Sequence, residues 1–270
     1  MSCSTYGHRF LSFEKAIERL AGLGFKALDI MGTRPHLLPD DYTKEEIEKI
    51  REILAYYGIK VSAVTPFDGH PQWHLTASNE RHRRDTIDHV KKCIQVAAVL
   101  ESKVVQCITG MPLILDVPFT KAWNNAKQGL LECAKHAEEH GVVIALEGEE
   151  NNVVRTSSDT LRMIQEVEHP NLQALLEIGH ANMMATDDPM HAIEILKDKI
   201  VHCHAHDNHG MTDEHLVPGD GIIDWESVLG ALSRTGYRGY VALEILVPNP
   251  DGGALRGKRH LEERMHASGS

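Results

Sequence analysis

Four short stretches decide the reading of this chain: Val142-Val-Ile-Ala-Leu-Glu147, Ala174-Leu-Leu-Glu177, Ile200-Val-His-Cys-His-Ala-His206 and Tyr240-Val-Ala-Leu-Glu-Ile-Leu246. Each is an apolar run with a metal-capable side chain near its end, followed by a polar or glycine-containing segment. Runs of this length read as strands buried on both faces. Working outward, further strand-like stretches lie at Cys3–Tyr6, Ala27–Met31, Lys60–Val64 and Lys103–Ile108. Helical patterns alternate with them at Phe13–Leu23, Lys44–Tyr57, Asn79–Leu100, Thr120–His140, Ser158–Val167, Pro189–Leu196 and Trp225–Thr235. Gly24, Gly58, Gly141 and Gly236 follow four of these helices, as helix C-termini favour, and Asp224 stands as an N-cap before Trp225. Strict alternation implies a parallel sheet, and eight strands fit a closed (β/α)₈ TIM barrel. A doubly wound open sheet would want a glycine-rich phosphate fingerprint after its first strand, and none is present. The expected organisation is one domain over residues 1–266. Its last helix is short or incomplete, within Leu255–Met265, and residues 267–270 form a disordered tail.

The 270 residues, 42% hydrophobic, suffice for one large core. No run of eighteen apolar residues is present, so no membrane span is expected. The N-terminal Met-Ser-Cys-Ser-Thr-Tyr has no apolar signal region, and the five cysteines are scattered. Both features suit a reduced, cytoplasmic protein. A formal charge of -11 argues against a broad nucleic-acid or anionic-membrane surface.

At the carboxyl ends of consecutive barrel strands, Glu147, Glu177, His204 and Glu244 would share one mouth. A buried glutamate is costly unless paired or metal-bound, and four such residues in succession favour a metal over separate strand caps. Three carboxylates and an imidazole suit one divalent ion, Mn²⁺ first, with Mg²⁺, Co²⁺ or Zn²⁺ as alternatives. His202, His204 and His206 share a strand face, with His202 deeper and His206 nearer the rim. Asp207 either orients His204 or caps the loop. His180 and His215 are candidate substrate contacts. In the loop after the third strand, so are His70 and Trp73, the latter as an apolar wall or simply as loop packing. The run His136-Ala-Glu-Glu139-His140 matches an inverted zinc-protease pattern. Its place at a helix end before Gly141 puts it on the bottom face, where it reads as a solvated helix terminus.

These residues resemble the xylose isomerase-like superfamily, in particular its sugar phosphate isomerase/epimerase group, which includes inosose isomerases and ketose 3-epimerases. The resemblance runs from Phe13-Glu-Lys-Ala-Ile-Glu-Arg-Leu-Ala-Gly-Leu-Gly24 to Val241-Ala-Leu-Glu244. It is most specific at Ile144-Ala-Leu-Glu147, Leu176-Glu-Ile-Gly-His180, His204-Ala-His-Asp207, Asp213-Glu-His-Leu and Pro218-Gly-Asp-Gly-Ile-Ile-Asp-Trp225. It implies the metal set Glu147, Glu177, His204 and Glu244, with Glu147 and Glu244 doubling as acid and base. It further implies a small sugar or polyol substrate and a dimer or tetramer. Two departures stand out. Glu177 occupies a position where the family commonly has Asp, and Gly148-Glu-Glu-Asn-Asn-Val153 lacks the Asn-Arg-aromatic-Glu run of tagatose-type 3-epimerases. The first expectation is therefore a metal-dependent isomerase or epimerase moving a proton beside a carbonyl. Alternatives are a lyase, dehydratase or C-glycoside-cleaving enzyme on the same site, an apurinic-site endonuclease, and a non-catalytic sugar-binding barrel.

Overall fold

The structure, a computed structural model, describes residues 1–67, 73–110 and 117–268. Eight parallel strands close in sequence order into a barrel: β1 (Ser2–Ser4), β2 (Ala27–Met31), β3 (Lys60–Thr65), β4 (Val104–Cys107), β5 (Val143–Glu147), β6 (Leu172–Glu177), β7 (Ile200–Ala205) and β8 (Val241–Leu243). Helices follow the strands: α1 (Phe13–Gly22), α2 (Lys44–Tyr56), α3 (Glu80–Val99), α4 (Phe119–Glu139), α5 (Ser157–Val167), α6 (Ile178–Met183), α7 (Pro189–Leu196), α8 (Trp225–Arg234) and α9 (Pro250–Ser268). The (β/α)₈ expectation is met. The strands read as apolar runs because helices cover their outer faces while side chains fill the barrel.

Local chemistry sets the helix boundaries. Reciprocal capping boxes start α2 (Thr43 with Glu46) and α5 (Thr156 with Asp159), and the Asp224 side chain accepts from Ser227 N at the start of α8. Gly24, Gly58, Gly141 and Gly236 all carry the positive φ that ends a helix without a Cβ clash. All five cysteines are buried free thiols.

Two expectations are corrected. The last helix is not short: α9 spans 19 residues and runs to Ser268, inside the segment expected to be a tail. Its start is hidden in sequence because Asn249-Pro-Asp-Gly-Gly253 reads as a turn. In the fold, Asn249 Oδ1 accepts from Gly252 N at 3.0 Å, and burial of Ala254 and Leu261 anchors the helix. The second correction is α6, a single short helix read as loop between β6 and α7.

At the carboxyl-terminal end of the sheet, His36 is buried in the loop after β2. Its Nδ1 lies 3.0 Å from Thr5 Oγ1, which also accepts from Met31 N, and its ring stacks on Phe13 at 5.5 Å. Burial outweighs the nearby backbone carbonyls and pushes its pKa down to about 4. The folded state therefore holds a neutral imidazole, whose stabilisation is complete above the unfolded value near 6.5 and lost as pH falls toward 4. His36→Asn, which cannot titrate, should be less stable than wild type at pH 7. Urea unfolding should show that gap shrinking by up to about 3 kcal/mol between pH 6.5 and 4. A gap constant over that window is the contrary outcome.

Candidate active site

Each of the four expected ligands stands at the same end of the barrel. Glu147 closes β5, Glu177 closes β6, His204 is the penultimate residue of β7, and Glu244 follows β8 directly. All are buried, from 1% exposure for His204 to 9% for Glu244. Ligand atoms of Glu147, Glu177 and His204 lie within 4.8 Å of one another. Glu244 joins them through its Oε2, 3.4 Å from His204 Nδ1, while Glu177 Oε2 stands 3.7 Å from the same nitrogen.

The register explains how they meet. β6 and β7 start with Ala174 beside Ile200, but an irregularity follows, and Leu175 pairs with His202. Regular pairing would set Glu177 beside Cys203, whose side chain faces the other way. The skipped residue instead brings Glu177 level with His204, so both point inward.

The group fits a cation. Glu177 Oε2 and His204 Nδ1 are buried without a hydrogen-bond partner, and both face the same point. Two buried lone-pair donors left without a partner are costly unless something electropositive lies between them. Mixed carboxylate and imidazole donors are what Mn²⁺, Mg²⁺, Co²⁺ and Zn²⁺ accept.

Glu177, the residue that replaces the more usual Asp, uses its extra length. Its Oε1 turns back to accept from Gly179 N at 2.9 Å, capping α6, and lies 3.3 Å from His206 Nδ1. Gly179 is required there, since a Cβ would collide with the His206 imidazole. Burial alone would raise the Glu177 pKa, but His206, His180 and His204 outweigh it and hold the carboxyl at about 2. Glu244 is likewise held low against burial, chiefly by His204. Burial opposes protonation of His204 and His180, yet Glu244 and Asp29 raise the first, and Asp213 and Glu147 the second.

Around this core lies a second layer. Glu147 Oε2 accepts from Gln106 Nε2 at 2.6 Å, and Glu147 Oε1 is 3.3 Å from His180 Nδ1. Asp213 gathers three imidazoles: His215 Nε2 at 3.0 Å, His206 Nε2 at 3.2 Å and His180 Nε2 at 3.6 Å. These partners keep its carboxyl far below the usual range despite burial. His215, with φ of 47°, donates from Nδ1 to Glu244 O at 2.7 Å.

Other sequence candidates sort differently. His180 and His215 line the cleft above the four ligands. Asp207 does not: its carboxylate accepts from Asn208 N, Gly219 N, Ile223 N and Trp225 Nε1, the loop-capping alternative. Trp73 stacks on His89 at 4.2 Å and is not among the cleft-lining residues. The apolar wall comes instead from Met31, Phe67 and Ile108. His70 lies outside the described residues. His136, Glu139 and His140 do approach one another, but at the end of α4, on the face opposite the cleft.

Three polar residues were given no role by the sequence reading. Asp29 sits fully buried inside β2, Gln106 inside β4, and Asp213 in the loop after β7. A lone polar residue inside an apolar strand was the available signal for the first two, and the Asp-x-His spacing for the third.

Comparison with known proteins agrees with the barrel fold. Over 262 residues, 96% of this chain and 94% of the relative, the sequence is 27% identical to fructoselysine 3-epimerase of Shigella flexneri. It is 24% identical over 280 residues to inosose dehydratase of Lacticaseibacillus casei, covering 95% of this chain and 91% of the relative. The crystal structure of a D-tagatose 3-epimerase-like protein superposes with a TM-score of 0.87 at 27% identity, covering 99% of this chain and 97% of that one. A family model described as xylose isomerase-like TIM barrel matches residues 17–264, and with nearly the whole chain included, the protein belongs to that family.

Proposed function

We propose that this protein is a divalent-metal-dependent epimerase or isomerase of an unphosphorylated ketose or keto-polyol. The observation that carries the reading is the convergence of Glu147, Glu177, His204 and Glu244 around two unpartnered donor atoms. Its sugar-epimerase relatives support the same broad class, a carbohydrate isomerase or epimerase. A bound divalent ion would supply Lewis-acid polarisation of the substrate carbonyl and charge stabilisation as an enediolate develops.

The chain's own residues would do the rest. Glu147 and Glu244, on β5 and just after β8, are separated around the barrel by β6 and β7 and so approach the cleft from different sides. One takes the proton from the carbon beside the carbonyl and the other returns it. Gln106, by donating to Glu147 Oε2, fixes the plane of that carboxylate. His180 holds a substrate hydroxyl, steadied by Asp213. Met31, Phe67 and Ile108 give the apolar face of a sugar a surface to lie against and exclude water.

Charge narrows the substrate. The cleft holds about 630 Å³ including its open mouth, and four carboxylates line it: Glu147, Glu149, Asp213 and Glu244. No Lys or Arg is among the described lining residues, and segments 68–72 and 111–116 contain neither. A phosphate dianion would meet these carboxylates with no lysine or arginine to pair with it. The same charge speaks against a phosphodiester backbone and hence against an abasic-site nuclease. A dehydratase outcome would use the same base and metal, and inosose dehydratase is a relative. A mass-neutral product separates epimerisation from elimination.

Two predictions follow from these roles. In deuterated buffer with Mn²⁺, the wild-type enzyme should incorporate one deuteron beside the carbonyl of its ketose. Chelation should stop this, and added Mn²⁺ should restore it. Glu147→Gln and Glu244→Gln should each slow incorporation by about 10²–10⁴-fold, and wild-type exchange rates in either variant refute its role. Across a panel of ketoses and their terminal phosphates, followed by NMR, free sugars should exchange and phosphates should not. Faster exchange with the phosphates overturns the substrate reading and leaves the proton-transfer reading intact.

A further inference from the structure

Beneath the four ligands, Asp29 lies fully buried in the middle of β2. Its Oδ2 is 2.9 Å from His204 Nε2 and 2.9 Å from His202 Nε2, and its Oδ1 accepts from Thr65 Oγ1 at 2.7 Å. The local register contributes: between Leu28 and Asp29 the β2–β3 pairing skips Ser62, so Met31 stands beside Thr65 at the strand ends.

A carboxylate can only accept, so each imidazole nitrogen facing Asp29 must be the one that carries hydrogen. For His204 this leaves Nδ1 with its lone pair, and Nδ1 is the atom that faces Glu177 Oε2 and Glu244 Oε2. From this geometry we infer that Asp29 is a positioning residue: by holding His204 Nε2–H it fixes the tautomer and ring orientation in which Nδ1 serves as metal ligand. The inference rests on the metal-site reading above. A carboxylate behind a ligating histidine also makes the imidazole a stronger donor, and removing such a partner weakens metal binding by about 10–100-fold. His202 shares Oδ2 from two residues deeper along β7 and is not one of the four ligands, so its loss should leave the Asp29–His204 contact in place.

Mn²⁺ titration by calorimetry, read beside thermal unfolding of the metal-free proteins, tests this. Wild type should bind one Mn²⁺, and Glu177→Gln should lose it. Asp29→Asn, equal in size, should keep a cooperative unfolding transition and bind Mn²⁺ about 10–100-fold more weakly. His202→Gln should stay within a few-fold of wild type. Wild-type affinity in Asp29→Asn overturns the positioning role while the metal site stands, whereas a wild-type protein that binds no Mn²⁺ overturns both. Should Asp29→Asn fail to fold, ¹⁵N spectra of histidine-labelled wild type loaded with diamagnetic Zn²⁺ still decide. Hydrogen on Nε2 of His204 upholds the assignment, and hydrogen on Nδ1 overturns it.

Discussion

Burying three carboxylates and an imidazole together at one end of a barrel is the constraint on which the rest of this structure depends. Each ionised group loses its hydration there, a cost that only opposite charge or hydrogen bonds can offset. The surrounding residues answer that demand in layers. Asp29 stands behind His204, His206 and Gly179 N hold one oxygen of Glu177, Gln106 holds one oxygen of Glu147, and Asp213 draws His180, His206 and His215 together above them. Among the atoms these layers leave open are Glu177 Oε2 and His204 Nδ1, beside Gln106 Oε1 and the Nδ1 atoms of His180, His202 and His206. Of these open atoms, Glu177 Oε2 and His204 Nδ1 stand 3.7 Å apart among the four carboxyl-end residues, an arrangement that a cation between them would complete.

The longer arm of Glu177 illustrates how the site and scaffold share atoms. One oxygen caps α6 and the other faces the ligand cluster, so the residue that ends β6 also starts the next helix. An aspartate has one carbon fewer with which to span both tasks. The loop after β7 has a similar double economy. Asp207 gathers three backbone amides and the Trp225 indole, and the loop so tied carries Asp213 and His215 over the cleft. Asp207 therefore acts on the cleft through the backbone it anchors.

Much of this was legible before any coordinates. The four candidate ligands could be placed at one end because a barrel converts the end of each apolar run into one address, its carboxyl-terminal rim. His180 and His215 followed from their nearness to those ends. Trp73 and Asp207 were less tractable, because a loop residue's direction depends on what packs beneath it: His89 for the first, a set of free amides for the second. The start of α9 was masked by Pro250-Asp-Gly-Gly253, whose turn-like composition gave way to an Asn249 cap and a buried apolar face.

Period and order are properties of the chain alone, and they determined eight alternating units, the closed parallel barrel and the strand ends that carry the candidate ligands. Register belongs to pairs of strands and cannot be read from either one. Only the tertiary structure decided that a skipped residue in β7 sets Glu177 level with His204, and another in β3 helps seat Asp29 behind it. A one-residue slip turns a side chain to the opposite face of its strand. The difference between a scattered set of polar strand residues and a single convergent site was therefore settled by hydrogen bonding between strands.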